Sequence, residues 1–542
     1  MKRLIDLHRV VLIDQLRLIG VDAHMDELTL VRRWEQEGDE LLHTFLPSML
    51  PIFDRSLGDS LLLPTFFPRW KRAKGSVAPL FLSGATSRIF SPTGHLLPDP
   101  DPHAIRAIRQ ILGLVGKLFE LPSQQMIDES LQSYVDTDRE ISNHYWHGTS
   151  LAERLGEQSR RLWSDVTNLP YEQLVMSHGP GAVAEKLSSN GKYRNRVWTE
   201  RLERVLPCSD HLIPSYRYYR ELESSDLLSP GNEPSIRVVC VPKTTKAARV
   251  IGIEPSFMMF AQQGVSTLLS DRLCRYSSSN IRDQAPNQAA AKKGSMDGTL
   301  STLDLSEASD RVSHALVVRM FRYDPIFLDH ILACRSTTAE LPNGDKILLR
   351  KFASMGSALT FPIETMVFLT IISLGVAGAL GKRTVSRKEI ESYGCRAYGD
   401  DLIVPSFATT HVMALLRFFG LVVNENKSFS HGFFRESCGK EYFRGFDVSY
   451  VKLRKRIPSH RQQTDEVVGF VAFRNLYFDK YGPTDALQLL DDAITKIIPF
   501  PFGDVDSNGL VRHGVSSDQV TSLDPRLHRP RVKGMKLVPS FK

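Results

Sequence analysis

Over the first sixty residues, apolar positions recur at helical spacing among charged ones, as in VRRWEQEGDELLHTFL, and predict amphipathic helices. Residues 60–100 are rich in Pro, Gly and Ser and predict irregular chain. Helical patterning returns over 103–175. From residue 236 the period changes. IRVVCVP and VIGIEP are β-branched runs that flank the basic KTTKAAR and predict two strands. STLDLS (301–306) predicts a third. DRVSHALVVRMF (310–321) predicts a helix, with Ser306 or Ser309 as its N-cap. RAYGDDLIVP (396–405) reads as a tight hairpin turning at Gly-Asp. The most apolar run, MVFLTIISLGVAGALG (366–381), is short for a membrane span and contains Thr370 and Ser373, so a buried core helix is expected. After 460 the pattern is mostly helical. It ends in RLHRPRVKGMKLVPSFK, with six Lys or Arg and no acid, which suits a solvated extension or a nucleic-acid contact equally.

A chain of 542 residues is too long for one simple core. The net charge of +7 suits a polyanionic partner without requiring one. The six cysteines are scattered with no CxxC pair, as in a reduced intracellular protein without structural zinc. The N-terminus, MKRLIDLHRV, places Asp6 and His8 inside any apolar window and does not read as a signal peptide.

The chemistry starts from Asp400 and Asp401. Adjacent carboxylates raise each other's pKa unless a cation intervenes. Gly-Asp is also ordinary turn chemistry, so YGDD alone decides nothing. Asp304, in a strand expected to be buried, needs a partner. That partner is a nearby Arg, a helix cap, or a divalent cation shared with Asp400. Carboxylate and phosphate oxygens are the ligands Mg2+ prefers. Lys243, Lys246 and Arg249 recur every three residues between two strands. They make a solvated loop or a triphosphate grip. KFASMGSALTFPIETMVF sets Ser354, Gly356 and Ser357 ahead of a helix containing Thr360 and Glu364, which lets backbone approach a ligand closely. Lys427 is either a surface lysine or a proton donor to pyrophosphate. Successive side chains of extended chain face opposite ways. Asp400 is therefore expected to share metals with Asp304, and Asp401 to lie at the edge of the site.

In their order along the chain, GSMDGTLSTLDLSEASDRVS, SMGSALTFPIET, YGDDLIVP and FRESCGKEYFRGFDV, with VPKTTKAARVIGIEP upstream, resemble the replicase catalytic subunit of levivirus-type single-stranded RNA bacteriophages. HGPGAVAE (178–185) extends the match weakly. The resemblance implies an α+β right-hand RNA-directed RNA polymerase with fingers, palm and thumb, the palm an antiparallel sheet backed by helices. It implies an N-terminal region and fingers over 1–235, strands for the incoming NTP over 236–300, palm over 301–455, and thumb with basic tail over 456–542. By the same resemblance, Asp304, Asp400 and Asp401 bind two Mg2+ ions, with Mn2+ as a substitute. Lys243, Lys246 and Arg249 hold the triphosphate. Asp310 senses the ribose together with the loop from Ser354 through Gly356 to Thr360. Lys427 is the general acid, and Arg435 and Glu436 support the primer end. RNA template, RNA product and NTPs are the implied partners, with host elongation factors Tu and Ts and a ribosomal protein, and no membrane. The implied location is the cytoplasm of an infected bacterium, and the implied initiation is primer-independent. Ser357 departs from the Asn of the familiar coliphage enzymes.

Three rivals stay open. Narnavirus, mitovirus and ourmia-like replicases share the motif order. A reverse transcriptase shares the paired aspartates, although LSEASD lacks the aromatic that commonly excludes a 2′-hydroxyl. A non-catalytic RNA-binding protein would account for the charge and for YRYYR (216–220), whose aromatics either stack on bases or form a partly buried patch.

Overall fold

The computed structural model describes residues 4–538, apart from 119–121, 143–144, 189, 195–196, 214, 245–246, 504, 508 and 515–519. The chain is mixed helix and sheet and divides into two compact units. One gathers 1–122, 242–247 and 446–542; the other holds 123–241 and 248–445. These boundaries differ from the expected divisions at 235, 300 and 455, because both ends of the chain share the first unit.

The first unit is built on the expected helices Leu4–Leu18, His24–Glu37, Leu46–Asp59 and Pro102–Gly113, with Thr464–Tyr481 and Asp485–Thr495 from the C-terminal segment. The amphipathic stripe of Pro102–Gly113 buries Ile105, Ile108, Ile111 and Leu112. It also buries Arg109. The Arg109 guanidinium donates to both oxygens of Asp54, at 2.7 and 3.0 Å, and to the Val448 carbonyl at 2.7 Å. A second buried pair, Arg474 with Asp491, joins the two C-terminal helices. Buried charges hold only when paired and hydrogen-bonded, and here the donors are satisfied.

The expected strands form, mostly within the second unit. Ile236–Thr244 and Ala247–Ile253 lie in a four-stranded sheet with Thr338–Glu340 and Lys346–Leu348. The hairpin 396–405 forms as Arg396–Tyr398 and Asp401–Pro405, and Leu300–Leu303 completes an antiparallel three-stranded sheet against Asp401–Pro405. The expected strand 301–306 is broken at Asp304. Its second part, Leu305–Ser306, pairs instead with Val422–Val423. The expected helix 310–321 is also interrupted, into Ala308–Arg311 and His314–Met320. Its N-cap is Ser313, which accepts from the Leu316 amide, and not Ser306 or Ser309.

The apolar run lies in helix Thr360–Ala379, buried without interruption from Pro362 to Ala377. It is long and apolar enough to cross a membrane by composition, yet 89% of its apolar window is buried in protein. Its hydroxyls are accommodated by bonding back one turn. Thr365, Thr370 and Ser373 donate to the carbonyls of Phe361, Met366 and Leu369. Thr370 also accepts from the Trp163 indole at 2.8 Å. A Cβ at Gly375 would stand 2.4 Å from Val412, so only glycine permits the close crossing with helix Thr409–Phe418.

Removing one partner of a buried ion pair strands the other charge. Asp54→Ala is expected to destabilise the first unit by about 3–5 kcal/mol, read as a lowered denaturant midpoint. An unchanged midpoint would contradict the role given to the Arg109 pair.

Candidate active site

The hairpin turn is fixed by what surrounds Gly399. Asp401 pairs with Tyr398, leaving Gly399 and Asp400 as a two-residue loop. Gly399 has φ +57°, which the first central position of a tight hairpin favours in glycine. A Cβ there would also lie 2.3 Å from the Phe361 ring. The Gly399 amide donates to Thr365 Oγ1 at 3.1 Å. On the other strand, Asn287 Nδ2 donates to the Asp401 carbonyl, while its Oδ1 accepts from Arg396. Core helix and turn therefore hold Asp400 at the tip of the hairpin.

Asp304 arrives by strand pairing. Leu303 and Leu402 are partners, and the next residue beyond that pair is Asp304 on one strand and Asp401 on the other. The chain changes sheets here because the backbone of Asp304 bonds away from the hairpin. Its carbonyl accepts from the Asn424 amide at 2.9 Å, and its amide donates to Ser428 Oγ at 3.2 Å. The Asp304 carboxylate accepts from Asn424 Nδ2 at 2.9 Å and stands 3.6 Å from Lys427 Nζ. Asp401 Oδ1 accepts from the Cys438 amide at 3.0 Å and, weakly, from Ser437. The Asp400 side chain is exposed at the tip, and protein on its inner side still limits its hydration. This raises its pKa to about 6, with Asp401 and Asp304 adding to the shift and Lys427 opposing it. Burial likewise raises Asp401, and Asp304 adds to that, against the Cys438 amide.

Lys427 is in place beside these acids, but as an ion-pair partner. Burial would lower its pKa, and Asp304, Glu436 and Asp400 more than offset this, so it holds its proton above the usual lysine range. Arg435 differs from expectation. It is fully buried, and its guanidinium is taken up by the carbonyls of Leu300, His431, Gly432 and Phe434, so it cannot reach a primer end. It ties strand Phe434–Ser437 to strand Leu300–Leu303.

The small-residue loop packs against strand Ala247–Ile253. Gly356 has φ +124°, and a Cβ there would meet the Gly252 carbonyl at 2.2 Å. The Gly252 amide donates to Met355 O at 2.8 Å. Thr360 Oγ1 donates to Ser354 O, and Ser357 Oγ to Gln262. Ser354 and Ser357 are buried, so this loop offers backbone more than hydroxyls. Asp310 lies behind it, 3.0 Å from the buried Lys351. Glu364, also buried, is pushed well above the usual carboxylate range by burial and then by Asp400 and Asp310, which puts both acids within electrical reach of one side chain. Arg249 is exposed on its strand. Lys243 falls in the other unit, and Lys246 lies outside the described residues. Tyr216, Tyr218 and Tyr219 are exposed, which departs from a partly buried patch.

Among the described residues no three His, Cys, Asp or Glu side chains form a ready-made metal cage. An open set of hard oxygen donors suits Mg2+, which keeps waters and takes one or two carboxylates with substrate phosphates. Sequence reasoning missed Asn424, Ser428, Cys438 and Lys351. Asn424 and Lys427 fall in the same VNENKSF segment, but nothing in its pattern shows that Asn424 faces Asp304.

Metal-free, the Asp400 carboxyl is expected to titrate near pH 6 by carbon NMR. Asp304→Asn removes a like charge and should move that midpoint down. An unmoved midpoint would refute the electrostatic coupling of the two acids.

The family model described as "RNA replicase, beta-chain" matches residues 211–462. The RNA-directed RNA polymerase subunit beta of Escherichia virus Qbeta is 37% identical over 300 residues, covering 55% of this chain and 49% of that protein. The RNA-directed RNA polymerase beta chain of Escherichia phage MS2 is 34% identical over 321 residues, covering 57% of this chain and 54% of that protein. The chain thus spans about half the length of the curated relatives it matches. A solved RNA-dependent RNA polymerase of a human picorbirnavirus aligns with 72% of this chain and 76% of its own, at 12% identity and a TM-score of 0.42, too distant to bear on the reading. The resemblance read from the sequence is borne out over residues 211–462, which match the family model described as "RNA replicase, beta-chain" and are similar to the beta subunits of these phage polymerases.

Proposed function

We propose that this chain is an RNA-directed RNA polymerase that copies a single-stranded RNA phage genome from NTPs in the cytoplasm of an infected bacterium. The observation that carries the proposal is the strand register. It brings Asp304 and Asp401 to the same end of one antiparallel sheet, with Asp400 at the adjoining turn, inside the segment that matches the replicase family. A non-catalytic RNA-binding protein has no need for acids gathered in this way.

In this reading the second unit carries the palm, and Asp304, Asp400 and Asp401 hold two Mg2+ ions, or Mn2+ in their place. Bound divalent cations would activate the 3′-hydroxyl of the growing strand and stabilise charge on the triphosphate. The chain's own residues do the positioning. Asn424, Ser428 and Lys427 fix Asp304; the Cys438 amide fixes Asp401; Thr365 and Phe361 fix the turn that carries Asp400. Asp400 has the least restrained carboxylate of the three, which supports its expected role as the acid shared between metals. The 3′-hydroxyl attacks the α-phosphate in line and pyrophosphate departs, so most of the catalysis is orientation and electrostatics. The resemblance supplies Lys243, Lys246 and Arg249 as the grip on the triphosphate, and the exposure of Arg249 in the second unit supports its part. Asp310 and the Ser354–Thr360 loop face the ribose.

Base pairing with the template sets the product sequence, so the protein reads backbone and shape. The exposed Tyr216, Tyr218 and Tyr219, beside Arg217 and Arg220, support stacking contact with single-stranded RNA. The relatives' names, subunit beta and beta chain, support assembly with further subunits. Elongation factors Tu and Ts and a ribosomal protein are the partners the resemblance supplies.

Asp400→Asn is expected to abolish nucleotide incorporation while leaving folding and RNA binding intact, in a template-directed assay beside a metal-free binding assay. Incorporation retained by the variant would refute the metal assignment.

A further inference from the structure

Lys351 is the least accessible ammonium at the site. Its side chain is fully buried. Its backbone is pinned on both sides: the amide donates to Asp138 at 3.0 Å, and the carbonyl accepts from Arg335 at 2.8 Å. The side chain then has little freedom. Nζ stands 3.0 Å from Asp310 Oδ1, 4.0 Å from Asp138 Oδ1 and 3.4 Å from the centroid of the Tyr134 ring. The Tyr134 hydroxyl is fixed in turn by Ser354 Oγ at 2.6 Å. A buried ammonium is costly unless its charge is matched and its protons are directed. Here those demands are met by one close carboxylate, one more distant carboxylate and one aromatic face.

The consequence falls on Asp310. One of its oxygens is tied to Lys351. The other takes no hydrogen bond from the described residues, and the side chain is 19% exposed. Lys351 thus fixes the orientation of an acid whose second oxygen is available to a ligand hydroxyl. Asp138 receives the amides of Arg350 and Lys351, so it anchors the lysine's backbone and leaves Asp310 as the close ionic partner.

We propose that Lys351 is a positioning residue that, by holding Asp310, sets the discrimination between ribonucleoside and deoxyribonucleoside triphosphates. The proposal rests on the reading above, in which Asp310 faces the ribose. Lys351 touches no substrate and acts only through Asp310, while Tyr134 links it to the Ser354 end of the same loop.

The test is a double-mutant cycle on the full chain, comparing kcat/KM for an NTP and its dNTP in single-nucleotide addition. Asp310→Asn is expected to lower the NTP-to-dNTP ratio about ten- to a hundredfold, the worth of one hydrogen bond to a charged group. Lys351→Met should lower the ratio in the same direction in the native background and leave it unmoved in the Asp310→Asn background. A merely structural lysine would lower both rates together and spare the ratio, and that result overturns the proposal. So does a further fall in the ratio when Lys351→Met is added to Asp310→Asn. If Lys351→Met alone does not fold, Lys351→Arg, which keeps the charge but displaces it from Asp310, carries the test in the native background: a lowered ratio supports the proposal, and lowered rates with an unchanged ratio overturn it. A ratio unchanged in Asp310→Asn itself refutes the ribose reading, an outcome distinct from failure at Lys351.

Discussion

Mutual repulsion of Asp304, Asp400 and Asp401 is the constraint on which the rest of the second unit depends. Three acids at one end of a small sheet would drive it apart unless each were held independently. The structure gives each its own restraint. Asp304 is held by Asn424 and Lys427, and Asp401 by the Cys438 amide. Asp400 is held through its turn, by the Gly399 amide on Thr365. The repulsion is not removed. Burial raises the carboxyl pKa of Asp400 and Asp401, and the neighbouring acids add to it, Asp401 and Asp304 at Asp400 and Asp304 at Asp401, a condition a divalent cation would relieve.

The apolar helix Thr360–Ala379 is what allows this. It is buried on every face, and its first turns serve the site directly. Phe361 leaves room only for glycine at 399, Glu364 adjoins it, and Thr365 accepts its amide. Its C-terminal half is locked against the neighbouring helix by Gly375 on Val412. A rigid core element therefore sets the position of a flexible-looking Gly-Asp turn. The same loop-and-helix segment opens with Lys351 and Ser354, so Asp310, through Lys351, and Asp400, through its turn, are referred to one element.

Much of this was legible in the sequence. Period-2 runs marked the strands, and Gly-Asp between apolar flanks marked the hairpin, because those signals are local. The breaks were not legible. STLDLS reads as one strand, yet Asp304 turns the chain from one sheet to another through bonds to Asn424 and Ser428, more than a hundred residues away. Ser313, rather than Ser306 or Ser309, caps the helix because the chain between them forms a separate short turn. The primer-end role expected of Arg435 came from the family resemblance and not from any local signal. Only tertiary packing shows that it is consumed by four backbone carbonyls. Lys351 carried no motif signal, since nothing in KFASMG distinguishes a buried lysine from a solvated one.

The central claim is that these three acids form a divalent-cation site. Cleavage of the chain by locally generated hydroxyl radicals, with Fe2+ in place of Mg2+, tests it most directly. The account predicts cuts confined to the neighbourhoods of residues 304, 399–401 and 437–438, suppressed by excess Mg2+ and lost at all three in Asp400→Asn. Cleavage elsewhere, or cleavage indifferent to Mg2+ and to that substitution, would contradict it.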